Sequence, residues 1–224
     1  MIIFCSPHNP GGRIWSIDEQ RELAYFCDRH KLILIVDEIH NDLIYPNLNH
    51  VTFPLVADGF FEEFILMTST TKTFNIAGGL MGNVIIPNAK LRKKFAKANI
   101  ATGESPNRFG MIMGERAMDE GQLWLKSLME YIEENRNLFD KEINSIPCVR
   151  SMRLEATYLA WVDFSALEKE ESSIMKKLIV DAKIIAKPGS SFGLGGNKFV
   201  RFNLATSRSI IEEAIERIKL VFYK

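Results

Sequence analysis

Apolar runs closed by polar turn formers open the chain. Ile2 to Cys5 is followed by Ser6-Pro7-His8-Asn9-Pro10-Gly11-Gly12, a cluster of residues that favour turns. That first run reads as a buried strand, so the chain is expected to begin inside a fold. Ser16 and Glu19 then make a capping-box pair, and Leu23, Phe26 and Cys27 follow at helical spacing. Leu32 to Val36 are consecutive apolar residues, the pattern of a parallel strand covered on both faces, and they stop at Asp37-Glu38-Ile39-His40. Phe64 to Met67 is a third run, ending in Thr68-Ser69-Thr70-Thr71-Lys72, and Val84 to Ile86 is a fourth, closed by Pro87-Asn88. Strands alternating with helical stretches predict an open α/β sheet. Ligands of such sheets sit outside the carboxyl ends of the strands. Asn9, Asp37, Ser69 and Lys72 all fall just past the first three runs, so parallel strands deliver them to one edge.

The pattern changes beyond Ala101. Met111 to Phe139 is strongly helical and carries Glu130, Glu133, Glu134 and Arg136, which predicts one long or broken helix leading to a second domain. Pro147 marks the expected boundary. A strand at Thr157–Phe164, a helix at Ser172–Ala182, a short strand at Lys183–Ala186, a strand at Lys198–Ala205 and a final helix follow. Ser209 with Glu212 is the expected cap of that helix, and Ile211, Ala214, Ile215, Ile218 and Phe222 are its apolar stripe. In the preceding strand Val200, Phe202 and Leu204 share one face, Arg201 and Asn203 the other. The expected organisation is a large-domain portion at 1–103, a connecting helical segment at 104–146 and a small α+β domain at 147–224.

Composition narrows the function classes. Lys+Arg and Asp+Glu number 28 each, so no net field draws the chain to nucleic acid or to an anionic membrane, and a small-molecule ligand is favoured. The three cysteines, Cys5, Cys27 and Cys148, form no CxxC pattern, which argues against a zinc site or a disulfide framework and for a cytoplasmic setting. No apolar run approaches the length that spans a bilayer, and the start lacks the basic flank of a signal peptide. Gly193-Leu194-Gly195-Gly196 lacks a preceding long strand and is a poor dinucleotide fingerprint.

Four separated motifs, in order, carry a family resemblance: Asn9-Pro10-Gly11, Asp37-Glu38-Ile39-His40, Ser69-x-x-Lys72-Thr73-Phe74-Asn75 and Phe199-Val200-Arg201-Phe202-Asn203. They resemble fold-type I pyridoxal-phosphate enzymes. The wording SPHNPGGR, DEIHNDL, TKTFNIAG and EATYLAWVDF is similar to the MalY/PatB, cystathionine β-lyase-like branch of the class I/II aminotransferases. The resemblance covers essentially the whole chain. It implies the second half of a large domain with a mostly parallel sheet, followed by a small α+β domain. It also implies pyridoxal 5'-phosphate as cofactor, an α-amino acid as substrate, and a homodimer.

By that resemblance Lys72 takes the cofactor as a Schiff base and moves the substrate Cα proton. Asp37 keeps the pyridine nitrogen protonated, and Asn9 bonds the phenolic oxygen. Ile39 packs on the ring with His40 near that oxygen, while Ser69 and Thr71 take the phosphate. Arg201 clasps the α-carboxylate through two bonds. From the residues alone, Asp37 also suits a helix cap, Asn9 a turn former and Arg201 a surface ion pair. His8 and His40 read as structural polar contacts, Tyr158 and Trp161 as core.

The chain departs from the family pattern at its start. The portion that precedes Asn-Pro-Gly in a full member is absent, and with it the other ring-stacking group and much of the dimer contact. Gly11-Gly12 stands where Thr-Gly is common. Leu80 stands where aspartate-type aminotransferases carry an arginine, which fits the lyase branch. Three readings follow: a C–S lyase or aminotransferase completed by an N-terminal polypeptide or a partner subunit, a non-catalytic remnant, and an ordinary α/β binding domain. With half the pocket missing, little lyase activity is expected of the isolated chain.

Overall fold

The computed structural model describes residues 1–103, 105–167 and 169–223. They divide into two compact units. One comprises residues 1–8 and 14–128, the other residues 9–13 and 129–224.

The first unit is built on a four-stranded sheet in the order β1 (Ile2–Cys5), β2 (Leu34–Asp37), β3 (Phe64–Thr68), β4 (Asn83–Ile85). The first three strands are parallel, in a register that aligns Cys5, Asp37 and Met67, and β4 runs antiparallel to β3. Helix α1 (Ile17–Arg29) starts as the sequence predicts: Ser16 Oγ accepts from Glu19 N, and Glu19 Oε2 accepts from Ser16 N. Its Ala24 and Cys27 pack with Leu34, Val36, Phe64 and Leu66 of the sheet and with Phe53 and Ala57 of α2 (Phe53–Ala57), a helix the sequence did not announce. Phe53 and Phe64 meet edge to face at 5.1 Å. Each such ring contributes about 1.5–3 kcal/mol of burial.

Expectation and structure differ here in one respect. β1 was expected to be buried, yet Ile3 is 69% exposed. Ile2 and Phe4 face the core cluster, so Ile3 projects from the opposite face of the sheet; β1 pairs only with β2 among the described strands. β2 likewise buries Leu34 and Val36 fully and Ile35 only in part.

The one-turn helix α3 (Thr70–Thr73) follows β3, and α4 (Ala89–Thr102) is capped by Asn88, whose Oδ1 accepts from Leu91 N. The predicted long helix is broken, into α5 (Arg108–Glu120) and α6 (Gln122–Ile143). Gly121 joins them because a Cβ there would lie 2.3 Å from Ala117 O and 2.4 Å from the Phe74 ring. The boundary between the units falls within α6, at Leu128–Met129, whereas 103 and 146 were expected. The reason is that Met129, Ile132, Asn135, Arg136, Phe139 and Ile143 are buried in the second unit.

The second unit contains an antiparallel sheet in the order β5 (Arg150–Ser151), β6 (Leu159–Asp163), β8 (Phe199–Asn203), β7 (Lys187–Pro188). Helix α7 (Glu171–Lys176) widens into a π-type turn over Lys177–Asp181, where Ala182 N bonds Lys177 O. The short strand is therefore β7, not Lys183–Ala186. The last helix, α8 (Arg208–Phe222), buries Ile211, Ile215, Ile218 and Phe222 as its stripe predicts. Its cap is Ser207, two residues ahead of the expected Ser209. Arg208 N donates to Tyr131 Oη at 2.7 Å, so a side chain from α6 satisfies a first-turn N–H and extends the helix. Residues 9–13 join this unit because Gly12 O accepts from both Glu155 N and Ala156 N. Gly12 has φ +67°, and a Cβ there would sit 2.2 Å from Leu154 Cδ2, so glycine is required.

Candidate active site

In the first unit the chemistry-bearing side chains stand where adjacent parallel strands end. Asp37 is the last residue of β2, level with Met67 of β3, and Ser69 follows Met67 by two residues. Asp37 Oδ1 accepts from Ile39 N at 3.2 Å, an Asx turn that aims the strand's exit. Ile39 is half-buried and His40 is 4% exposed.

Ser69 caps α3, its Oγ accepting from Thr71 N at 3.3 Å and donating to Met81 O at 3.0 Å. Its 2.6 Å contact with Thr71 Oγ1 therefore takes its proton from Thr71. Two hydroxyls thus meet at the start of the turn that carries Lys72. Lys72 is half-buried and forms none of the ion pairs found among the described residues, although buried threonines flank it on both sides. Leu80 takes a left-handed backbone, φ +47°, at the end of the turn after α3 and is exposed.

The other two candidates lie together in the second unit. Arg201 Nη1 donates to Asn9 Oδ1 at 2.8 Å, which leaves the amide nitrogen of Asn9 as its donor end. Arg201 sits opposite Trp161 in the β6–β8 register, and its guanidinium lies 4.7 Å from the Phe192 ring centroid. Burial draws the Arg201 pKa down, with Tyr158 pulling the other way, yet a guanidinium stays cationic at any ordinary pH. Burial raises the Tyr158 hydroxyl, and Arg201 opposes that shift. His8 is lowered by burial. Trp161 is buried against Phe199, as a core residue would be.

The sequence reading missed two acidic groups. Glu38 is fully buried. Its carboxylate accepts from Phe53 N and Thr52 Oγ1, both at 2.7 Å, with His50 Nε2 at 3.4 Å. Asp42 Oδ2 accepts from Thr73 Oγ1 at 2.8 Å. Both lie within the Asp37–Asp42 stretch, but their partners are 12 or more residues away, so the sequence pattern alone carried no signal for them.

This donor set suits an aromatic aldehyde bearing a phosphate and a ring nitrogen. An amine without an ion pair can bind the aldehyde, a carboxylate can hold a protonated ring nitrogen, and clustered hydroxyls can donate to phosphate. No group of His, Cys, Asp and Glu among the described residues could hold a metal ion. No described helix is long and apolar enough to cross a membrane.

Comparison with known proteins agrees with this chemistry. Residues 1–218 match the family described as aminotransferase class I and II. The chain is 34% identical over 221 residues to cystathionine beta-lyase PatB of Bacillus subtilis, covering 98% of this chain and 57% of that protein. Among solved structures it is similar to cystalysin of Treponema denticola, described as containing pyridoxal 5'-phosphate, with TM-score 0.94 and 36% identity over 98% of this chain and 56% of that one. It is also similar to a PLP-bound C-S lyase of Staphylococcus hominis, with TM-score 0.90 and 29% identity over 99% and 57% of the two chains. The chain thus spans little more than half the length of these relatives.

Proposed function

Because the chain belongs to the aminotransferase class I and II family, we propose that it serves a pyridoxal-phosphate-dependent C–S β-lyase of the cystathionine β-lyase type, acting on sulfur-containing α-amino acids. The observation that carries this reading is the placement of Asp37 at the end of one parallel strand and of Ser69, Thr71 and Lys72 just past the end of its neighbour. The similarity to PatB, to cystalysin and to a PLP-bound C-S lyase adds to it.

In this reading Lys72 would hold the cofactor aldehyde through its amine and would carry the substrate Cα proton. Asp37 holds the proton on the ring nitrogen. The bound cofactor supplies the electron sink for the electrons left at Cα. Ser69 and Thr71 would hold the phosphate through their hydroxyls, and Ile39 and His40 would line the place of the ring. Asn9 would donate to the ring oxygen through the amide nitrogen that the Arg201 bond leaves as its donor end. Arg201 clasps the α-carboxylate with its planar guanidinium. The protein is proposed to work in the cytoplasm, as a homodimer or completed by a further polypeptide. Cys5, Cys27 and Cys148 form no disulfide, which suits a reducing setting.

Adding pyridoxal phosphate to the purified chain should give a visible absorption band that Lys72→Ala lacks. Pyruvate released from cystathionine without an added 2-oxo acid supports elimination. Amino-group transfer that needs a 2-oxo acid would instead favour the aminotransferase alternative, which the family name keeps open. A chain that forms no band, with or without a completing polypeptide, is a non-catalytic remnant.

A further inference from the structure

We propose that Asp42, acting through the hydroxyl of Thr73, is a positioning residue for the amine of Lys72. The proposal rests on the cofactor reading above and concerns how this chain aims its own lysine. Helix α3 has four residues, and a single turn has no stability of its own, because nucleation costs more than one hydrogen bond returns. Its orientation is therefore set by the side-chain bonds at its two ends. At the first end Ser69 Oγ caps the turn and is itself bonded to Met81 O. At the other end the tie is the 2.8 Å bond from Thr73 Oγ1 to Asp42 Oδ2, which spans 31 residues. Thr73 is fully buried, so water does not compete for its hydroxyl.

Asp42 is itself firmly held. Between Asp37 and Leu43 the chain makes successive turns, with Asn41 N bonded to Glu38 O and Leu43 N bonded to His40 O. Fully buried Glu38 and Leu43 anchor the segment on either side of it. The segment that begins with Asp37 thus reaches across to the residue adjoining Lys72. Since Lys72 has no ion pair among the described residues, the backbone beneath it decides where its amine points. Reactive groups displaced by about 1 Å react on the order of a hundredfold more slowly, so one hydrogen bond here has leverage over the lysine.

The test traps pyridoxal phosphate on the full chain with borohydride and quantifies each modified lysine by peptide mass spectrometry. Circular dichroism without cofactor checks folding. In the wild type Lys72 should dominate. Asp42→Ala and Thr73→Val remove the bond and should each lower the extent of Lys72 modification at least fivefold while the other lysines keep theirs. Asp42→Asn keeps an acceptor and Thr73→Ser keeps a donor, so both should stay within twofold of the wild type. The double Asp42→Ala/Thr73→Val variant should be no worse than the weaker single, since the two groups act as one unit. An unchanged extent of Lys72 modification in folded Asp42→Ala overturns the positioning role, even if Thr73→Val does not fold. Equal losses in Thr73→Val and Thr73→Ser overturn it as well, because the loss would then follow the side chain's packing rather than its hydroxyl. A wild type with no preference for Lys72 overturns the cofactor reading, and this inference with it.

Discussion

Single residues show how burial changes chemistry that sequence can only name. Asp140 Oδ1 accepts from Ser151 Oγ at 2.6 Å, and Arg136 and Arg153 lie near enough to favour its charge, yet burial dominates and raises its pKa. Above the ordinary aspartate value of 3.8 the folded state therefore holds more protons than the unfolded one. Stability falls as pH rises through that window and stays lowered above the raised pKa. Asp140→Asn keeps the Ser151 bond and removes the titration. The thermal midpoint of the variant should gain on that of the wild type as pH rises from about 3.8 toward neutrality. A difference between the two proteins that is constant with pH would refute this. The same distinction applies to Asn9 and Arg201. Their identities were legible in the motifs, but the bond that orients the Asn9 amide joins residues 192 positions apart.

Elements in this chain begin and end where distant groups allow. The Ser16–Glu19 box was readable because both partners lie within one turn. α2 was not, since its first N–H is satisfied by Glu38, 15 residues earlier. Glu38→Ala would strand the Phe53 N–H and the Thr52 hydroxyl and leave a cavity. With each buried unsatisfied group costing about 1–3 kcal/mol, a loss of roughly 3 kcal/mol is expected in urea unfolding, beyond the loss in Thr52→Ala. A change below about 0.5 kcal/mol would mean that Glu38 is not the cap of α2. α8 gives the same lesson at its own start: Tyr131 moves the cap from Ser209 to Ser207. The predicted strand at Lys183–Ala186 fails where the helical run widens ahead of it and takes up Ile184, whose N donates to Leu178 O.

For the whole molecule, charge and exposed apolar surface act together. Positive and negative side chains balance at 28 each, and the isoelectric point is near 6.9. Leu80, Ile100, Phe109 and Leu123 of the first unit are largely exposed. Without net charge, little repulsion opposes contact between such surfaces. Light scattering at fixed concentration should therefore peak near neutral pH and fall when the pH is moved by about two units either way. Scattering indifferent to pH would rule out this balance as the cause of association. A change to a helical pattern beyond Ala101 was legible, but the division of the units inside α6 was not, because a helix's periodicity does not tell which neighbours its apolar face meets.

By itself the sequence determined the alternation of strands and helices, the order of the motifs and hence the family, and the identity of the lysine, aspartate and arginine candidates. These depend on residue type and short spacing, which are one-dimensional properties. Only the tertiary structure decided that β4 runs antiparallel, that β1 lies at a sheet edge, that residues 9–13 pack with the second unit, and that Asp42 grips the turn bearing Lys72. Each of those is a hydrogen bond or a contact between residues far apart in the chain, and no local pattern encodes which distant partner a buried polar group will find.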